Sequence, residues 1–135
     1  MSTKQGENMN RVRRLIIDLD NTLTIESSNP YDLKEPNIAT IEKVRKYKLL
    51  GFQVVIHTAR NMRTFERNIG EINVHTLPKI LTWLDKHQVP YDEVIVGKPW
   101  CGDEGFYVDD RAIRPDEFVK LSLSEIHELL GHGDQ

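Results

Sequence analysis

With one cysteine in 135 residues, Cys101 has no partner for an internal disulfide, which suits a reducing, cytoplasmic setting. No stretch of about 18 apolar residues is present, so nothing in the sequence reads as a membrane-spanning helix. There is no basic excess either. Eighteen Lys and Arg face 21 Asp and Glu, for a net charge of −3. A chain whose main partner is nucleic acid ordinarily carries a basic footprint, so the expected partner is a small molecule. No internal repeat or low-complexity tract occurs. Residues 1–10 are polar, lack the apolar stretch of a signal peptide, and read as a disordered tail. With 132–135 as a C-terminal tail, 11–131 remain as a single domain of ordinary size.

Within that span, apolar runs alternate with helical patterns. Leu15-Ile16-Ile17 reads as a buried strand stopping at Asp18-Leu19-Asp20-Asn21-Thr22. Residues 24–36 read as a surface flap. A helix is expected from about Pro36, with Ile38, Ile41, Val44 and Tyr47 along one face and Gly51 after its end. Phe52 to Ile56 reads as a second strand, ending at His57-Thr58-Ala59-Arg60. Residues 61–75 fit either a short helix or a loop. The Leu77, Ile80, Leu81, Leu84 stripe predicts a helix from about Thr76 to His87. Val94 to Val96 and Phe106 to Val108 read as third and fourth strands, ending at Gly97-Lys98-Pro99 and Asp109-Asp110-Arg111. Ser122 with Glu125 three residues on is a capping-box spacing that starts a last helix, closed by Gly131.

Strands alternating with helices predict an α/β fold, a three-layer, Rossmann-like parallel sheet with helices on both faces. Ligands of such sheets bind beyond the carboxyl ends of the strands. Asp18 and Asp20, Thr58 and Arg60, Lys98, and Asp109 and Asp110 all fall at that edge and are expected to converge. Four carboxylates with nearby carbonyls suit a hard cation such as Mg²⁺. Lys98 would offset the charge of a nucleophile and a phosphate, and the Thr58 hydroxyl would donate to phosphate oxygens. Arg60 would fork onto a second anionic group of the substrate. One aspartate attacking phosphorus yields an acyl-phosphate that water hydrolyses, and a neighbouring Asp20 could supply and then withdraw the proton.

Taken together, Asp18-Leu19-Asp20-Asn21-Thr22-Leu23-Thr24, Thr58, Lys98 and Asp109-Asp110 resemble the four motifs of the haloacid dehalogenase (HAD) superfamily of phosphohydrolases, over about residues 14–112. The resemblance implies a Mg²⁺-dependent phosphatase using an aspartyl-phosphate. Asp18 would be the nucleophile and a metal ligand, and Asp20 the general acid/base with its backbone carbonyl on the metal. Thr58 and Lys98 would bind the phosphoryl group, Asp109 would complete the metal site, and Asp110 would stand beside it. Asn21, Ala59, Arg60 and Trp100 are the expected substrate contacts. The short flap implies a capless member, a type expected to form homo-oligomers when its substrate is small. Gly97 to Gly102 and Gly105 to Pro115 further resemble small bacterial phosphatases of capsular polysaccharide biosynthesis, which implies a phosphorylated sugar or related metabolite. A nucleic-acid 3′-phosphatase and a phospho-acceptor signalling module are the alternative readings.

Other residues have plainer readings. Cys101 lacks a neighbouring base and reads as a free thiol near the site mouth. His57 is expected to point away from Thr58, into packing. The Arg11, Arg13, Arg14 stretch and the Lys43, Arg45, Lys46, Lys48 series read as solvated faces.

Overall fold

The computed structural model describes residues 11–131; the two expected tails lie outside them. Three strands, β1 (Arg14–Asp18), β2 (Gln53–Thr58) and β3 (Glu93–Val96), form a parallel sheet in the order β1-β2-β3. Five helices accompany them: α1 (Ile38–Leu49), α2 (Ile69–His75), α3 (Leu77–Lys86), α4 (Pro115–Lys120) and α5 (Leu123–Leu129). This is a small α/β fold of Rossmann-like type. None of the helices among the described residues is long and apolar enough to cross a membrane.

Local chemistry sets the helix ends. Asn37 accepts a hydrogen bond from Thr40 N, so α1 begins at Ile38 rather than at Pro36. Pro36 instead bridges Thr24 across the base of the flap. Ile38, expected on the buried stripe, is 56% exposed, and Thr40 is buried in its place. The ambiguous stretch before Thr76 contains α2, capped by Asn68. The Ser122–Glu125 capping box starts α5 as expected. One helix had no counterpart in the sequence reading. Pro115 opens α4, where the Glu117 carboxylate accepts from Arg114 N at 2.8 Å.

Strand alternation divides the sheet into two unequal faces. Leu15, Ile17, Val54, Ile56, Val94 and Val96 face a core built with Ile41, Val44 and Tyr47 of α1, Ile80, Trp83 and Leu84 of α3, Phe118 and Ile126. Tyr47 packs edge-on against Phe52 at 5.1 Å and tilted against Phe118 at 5.3 Å. On the opposite face Val55 is fully buried while Ile16 is 57% and Ile95 41% exposed, so that face is covered only in part.

The expected fourth strand does not form. Phe106, Tyr107 and Val108 are extended but pair with no strand, and Phe106 and Val108 are largely exposed. Side chains hold this run elsewhere. The Tyr107 hydroxyl donates to the Pro99 carbonyl, and its ring lies 4.2 Å from Lys98 Nζ. The compact turn before it requires Gly105, where a Cβ would collide with the Cys101 carbonyl.

Candidate active site

The carboxyl edge of β1 is a tight turn wound on one carbonyl. Leu19 O accepts from Leu23 N at 2.9 Å and from Thr24 N at 3.1 Å. Leu19 and Leu23 are buried and anchor the turn, while Asp18 and Asp20 on either side of Leu19 stay half-buried. Asn21 takes a left-handed φ of 61°, a conformation that asparagine tolerates, and its N–H donates to Thr24 Oγ1 at 2.9 Å. Asn21 is exposed.

Lys98 arrives from the end of β3. Its backbone N donates to Thr58 O at 3.0 Å, which extends the sheet by one bond beyond the strand. Gly97, at φ 90°, allows the reversal, and a Cβ there would run into Ile69. The ammonium then sits 3.4 Å from Asp18 Oδ1. The Asp18 carboxyl is nonetheless pushed above its ordinary value. Burial is the main cause, the Lys98 charge opposes it, and the Asp20 charge adds to it.

Asp20 is held by the end of β2. Thr58 Oγ1 donates to Asp20 Oδ2 at 3.2 Å, and the same hydroxyl accepts from Arg60 N at 3.0 Å. Arg60 Nη2 and Nε donate to Asp20 Oδ1 at 2.7 and 3.2 Å. Arg60 is only 5% exposed, and Tyr31 of the flap covers it with ring centroid 4.1 Å from the guanidinium carbon.

Two of the expected phosphate- and substrate-binding groups are engaged within the chain. Thr58 is fully buried and its one hydroxyl proton goes to Asp20, not outward to a phosphate oxygen. Arg60, expected to fork onto an anionic group of the substrate, forks onto Asp20 here. Ala59 between them is half-buried, and Trp100 is 44% exposed with the Arg63 guanidinium 5.4 Å above its ring.

The carboxylates gather in part. Asp18 and Asp20 stand together, whereas Asp109 and Asp110 are exposed at the end of the unpaired 106–108 run. Asp109 Oδ1 accepts from Arg111 N at 2.8 Å. Among the described residues no group of three or more metal-ligating side chains forms. Phe106 to Val108 joins none of the three strands, so no ladder fixes Asp109 and Asp110 against the β1 edge. The donors that do assemble, two carboxylates on the β1 turn, fit a hard cation in kind.

Three residues near the site carried no role in the sequence reading. Tyr31 and Tyr107 cover the two cations, Arg60 and Lys98. An aromatic within an otherwise polar flap was the available signal for Tyr31. His57 does point away from Thr58, but as the register partner of Asp18 it shares that residue's face of the sheet. Burial, with Lys98 second, lowers the His57 pKa, and the Asp18 charge opposes both. Cys101 is a half-buried free thiol.

The chain matches no family model and no curated protein. Among solved structures, two chains of the Pnkp1/Rnl/Hen1 RNA repair complex match at 20% and 22% identity, with TM-scores of 0.49 and 0.47. They cover 69% and 80% of this chain and 28% and 34% of their own. A protein of known crystal structure from Vibrio cholerae superposes with a TM-score of 0.87 at 58% identity. With 89% of this chain and 98% of that one covered by the match, the chain belongs to the same family as the Vibrio cholerae protein.

Proposed function

We propose that the protein is a phosphomonoesterase of haloacid dehalogenase type, with Asp18 as nucleophile. The observation that carries this reading is the unequal treatment of the two carboxylates on the β1 turn. Asp18 meets Lys98 at 3.4 Å and accepts a backbone hydrogen bond from Leu19, but no guanidinium fork holds it, so it is open to attack phosphorus. Asp20, two residues on, accepts on both oxygens from Thr58 and Arg60 and is oriented rather than free.

In the proposed reaction an Asp18 oxygen bonds to phosphorus as the ester P–O bond breaks, and the departing alkoxide takes a proton from Asp20. Water then attacks phosphorus, gives a proton back to Asp20, and the bond to Asp18 breaks. One ester and one water become one alcohol and one phosphate. Lys98 balances charge on Asp18 and on the incoming phosphoryl oxygens. Mg²⁺, when bound by the Asp18 carboxylate and the Asp20 backbone carbonyl, would supply further positive charge for those oxygens.

A phosphorylated sugar or related metabolite of polysaccharide biosynthesis is the proposed substrate, on the resemblance of the Gly97–Gly102 and Gly105–Pro115 segments. A homo-oligomer and a reducing, cytoplasmic setting belong to the same proposal. Phosphate release from sugar phosphates, nucleotides and 3′-phosphorylated oligonucleotides, with Mg²⁺ and with EDTA, tests it. Metal-dependent turnover abolished by Asp18→Asn is expected. Near-normal turnover by Asp18→Asn would overturn the mechanism, and preference for the oligonucleotides would overturn the substrate class.

A further inference from the structure

The flap reaches the candidate site through one side chain. Its base is fixed. Ile25 N donates to Glu35 O at 2.9 Å, Asn37 N to Leu23 O at 2.8 Å, and Trp83 Nε1 to Lys34 O at 2.9 Å. The tip turns through a single 3₁₀ turn, Tyr31–Leu33, in which no residue is buried. From that turn the Tyr31 ring comes over Arg60, well inside the roughly 6 Å reach of a cation–π contact. Arg60 in turn holds Asp20 through Nη2 and Nε. Tyr31 itself is 45% exposed, so its outer face is open while its inner face closes over a guanidinium that is almost entirely buried.

We infer that Arg60 is a positioning residue for Asp20 and that Tyr31 is the flap contact that locks it, so that flap placement governs where the Asp20 carboxyl points. Three features meet in this assignment. The guanidinium fork fixes the plane of a carboxylate in a way a point charge does not. Thr58 holds Asp20 Oδ2 from the strand end, and Arg60 is the Asp20 contact that the flap covers. Finally, the cavity of about 300 Å³ lined by Tyr31, Arg60, Phe65, His75 and Lys79 gives the flap tip room to move without crossing the core. When the ring lifts, Arg60 loses its cover, gains access to water, and its grip on Asp20 weakens. The inference rests on the reading of Asp20 as the proton-transferring group.

The test uses leaving-group dependence. A general acid matters most when the alcohol is a poor leaving group, so ethyl phosphate and p-nitrophenyl phosphate are compared in wild type, Asp20→Asn, Arg60→Gln, Arg60→Lys, Tyr31→Ala and Tyr31→Phe. Asp20→Asn should slow ethyl phosphate about 10²-fold or more beyond its effect on p-nitrophenyl phosphate. Arg60→Gln should follow in the same direction by about tenfold, Arg60→Lys should follow too because it keeps charge but not the fork, and Tyr31→Ala should follow less. Tyr31→Phe, which keeps the ring, should restore what Tyr31→Ala loses. If Asp20→Asn discriminates between the substrates while the Arg60 and Tyr31 variants keep the wild-type ratio, the inference fails and the phosphatase reading stands. If Asp20→Asn does not discriminate, the proton-transfer reading of Asp20 fails, and the inference with it as a catalytic statement. The lock itself is read separately by NMR. A protected Arg60 Nε–H signal in the wild type that is lost in Asp20→Asn and Tyr31→Ala supports it, and a signal unchanged in Tyr31→Ala overturns the flap link whatever the turnover.

Discussion

The ammonium nitrogen of Lys98 lies 3.4 Å from Oδ1 of Asp18, bringing together two strand ends separated by 80 positions in the chain. The contact joins the two outer strands of the sheet over the end of the central one, since β2 lies between β1 and β3. It also opposes the burial that raises the Asp18 carboxyl. Lys98→Ala should therefore drive the Asp18 pKa further up and lower phosphate release about 10²–10³-fold, the scale of losing one pre-organised electrostatic group. A carboxyl titration followed by NMR, together with turnover measurements, checks both halves.

Asp18 also sets a pH dependence of stability. Its folded pKa is raised above the ordinary 3.8, so the unfolded chain gives up that proton first as pH rises. Between 3.8 and the folded value the native state holds more protons, and the stability contribution falls through that window. Asp18→Asn removes the buried charge. It should raise the melting temperature at neutral pH, and the gain should vanish below the ordinary carboxylate range. Thermal scans at pH 3 and pH 7 decide it, and an equal gain at both would remove the electrostatic explanation.

Thr58 is the buried joint between Asp20 and Arg60, donating to one and accepting from the other's backbone. Thr58→Val keeps the shape but leaves Arg60 N–H without that acceptor and Asp20 without the Thr58 donor. A loss of about 1–3 kcal/mol is expected, the cost of stranding a buried polar group. Urea denaturation measures it. The alkyl-phosphate reaction should also slow, because Asp20 loses one of its two supports.

At Gly97 the backbone reversal that delivers Lys98 depends on a missing Cβ. Gly97→Ala forces a positive φ on alanine and presses its Cβ into Ile69. It should destabilise by more than about 1 kcal/mol and lower turnover through displaced Lys98. Adding Ile69→Ala relieves the collision and leaves the φ strain, so melting temperature should recover only in part.

Local chemistry was enough to place much of this protein. Leu15 to Ile17, Val54 to Ile56 and Val94 to Val96 are short apolar runs that could satisfy their backbone only as strands with buried sides, and all three form. Ser122 with Glu125 announced α5 because a capping box is complete within four residues. The order of apolar run, helix and polar cluster was also sufficient to bring Asp18, Asp20, Thr58, Arg60 and Lys98 to one edge, since parallel strands joined by helices leave their carboxyl ends on the same side.

Partner choice within that edge was decided only by the tertiary structure. Arg60 looks outward in the sequence, yet the fold buries it and leaves Asp20 as the carboxylate within its reach. Phe106 to Val108 has the composition of a strand, yet it joins none, and Tyr107 instead contacts Lys98 and Pro99. Asp109 and Asp110 therefore stay apart from Asp18 and Asp20. Patterns within a few residues determine which elements exist. Which charge meets which depends on contacts between residues tens of positions apart, such as Tyr31 with Arg60 and Lys98 with Asp18, and only the packed chain makes them.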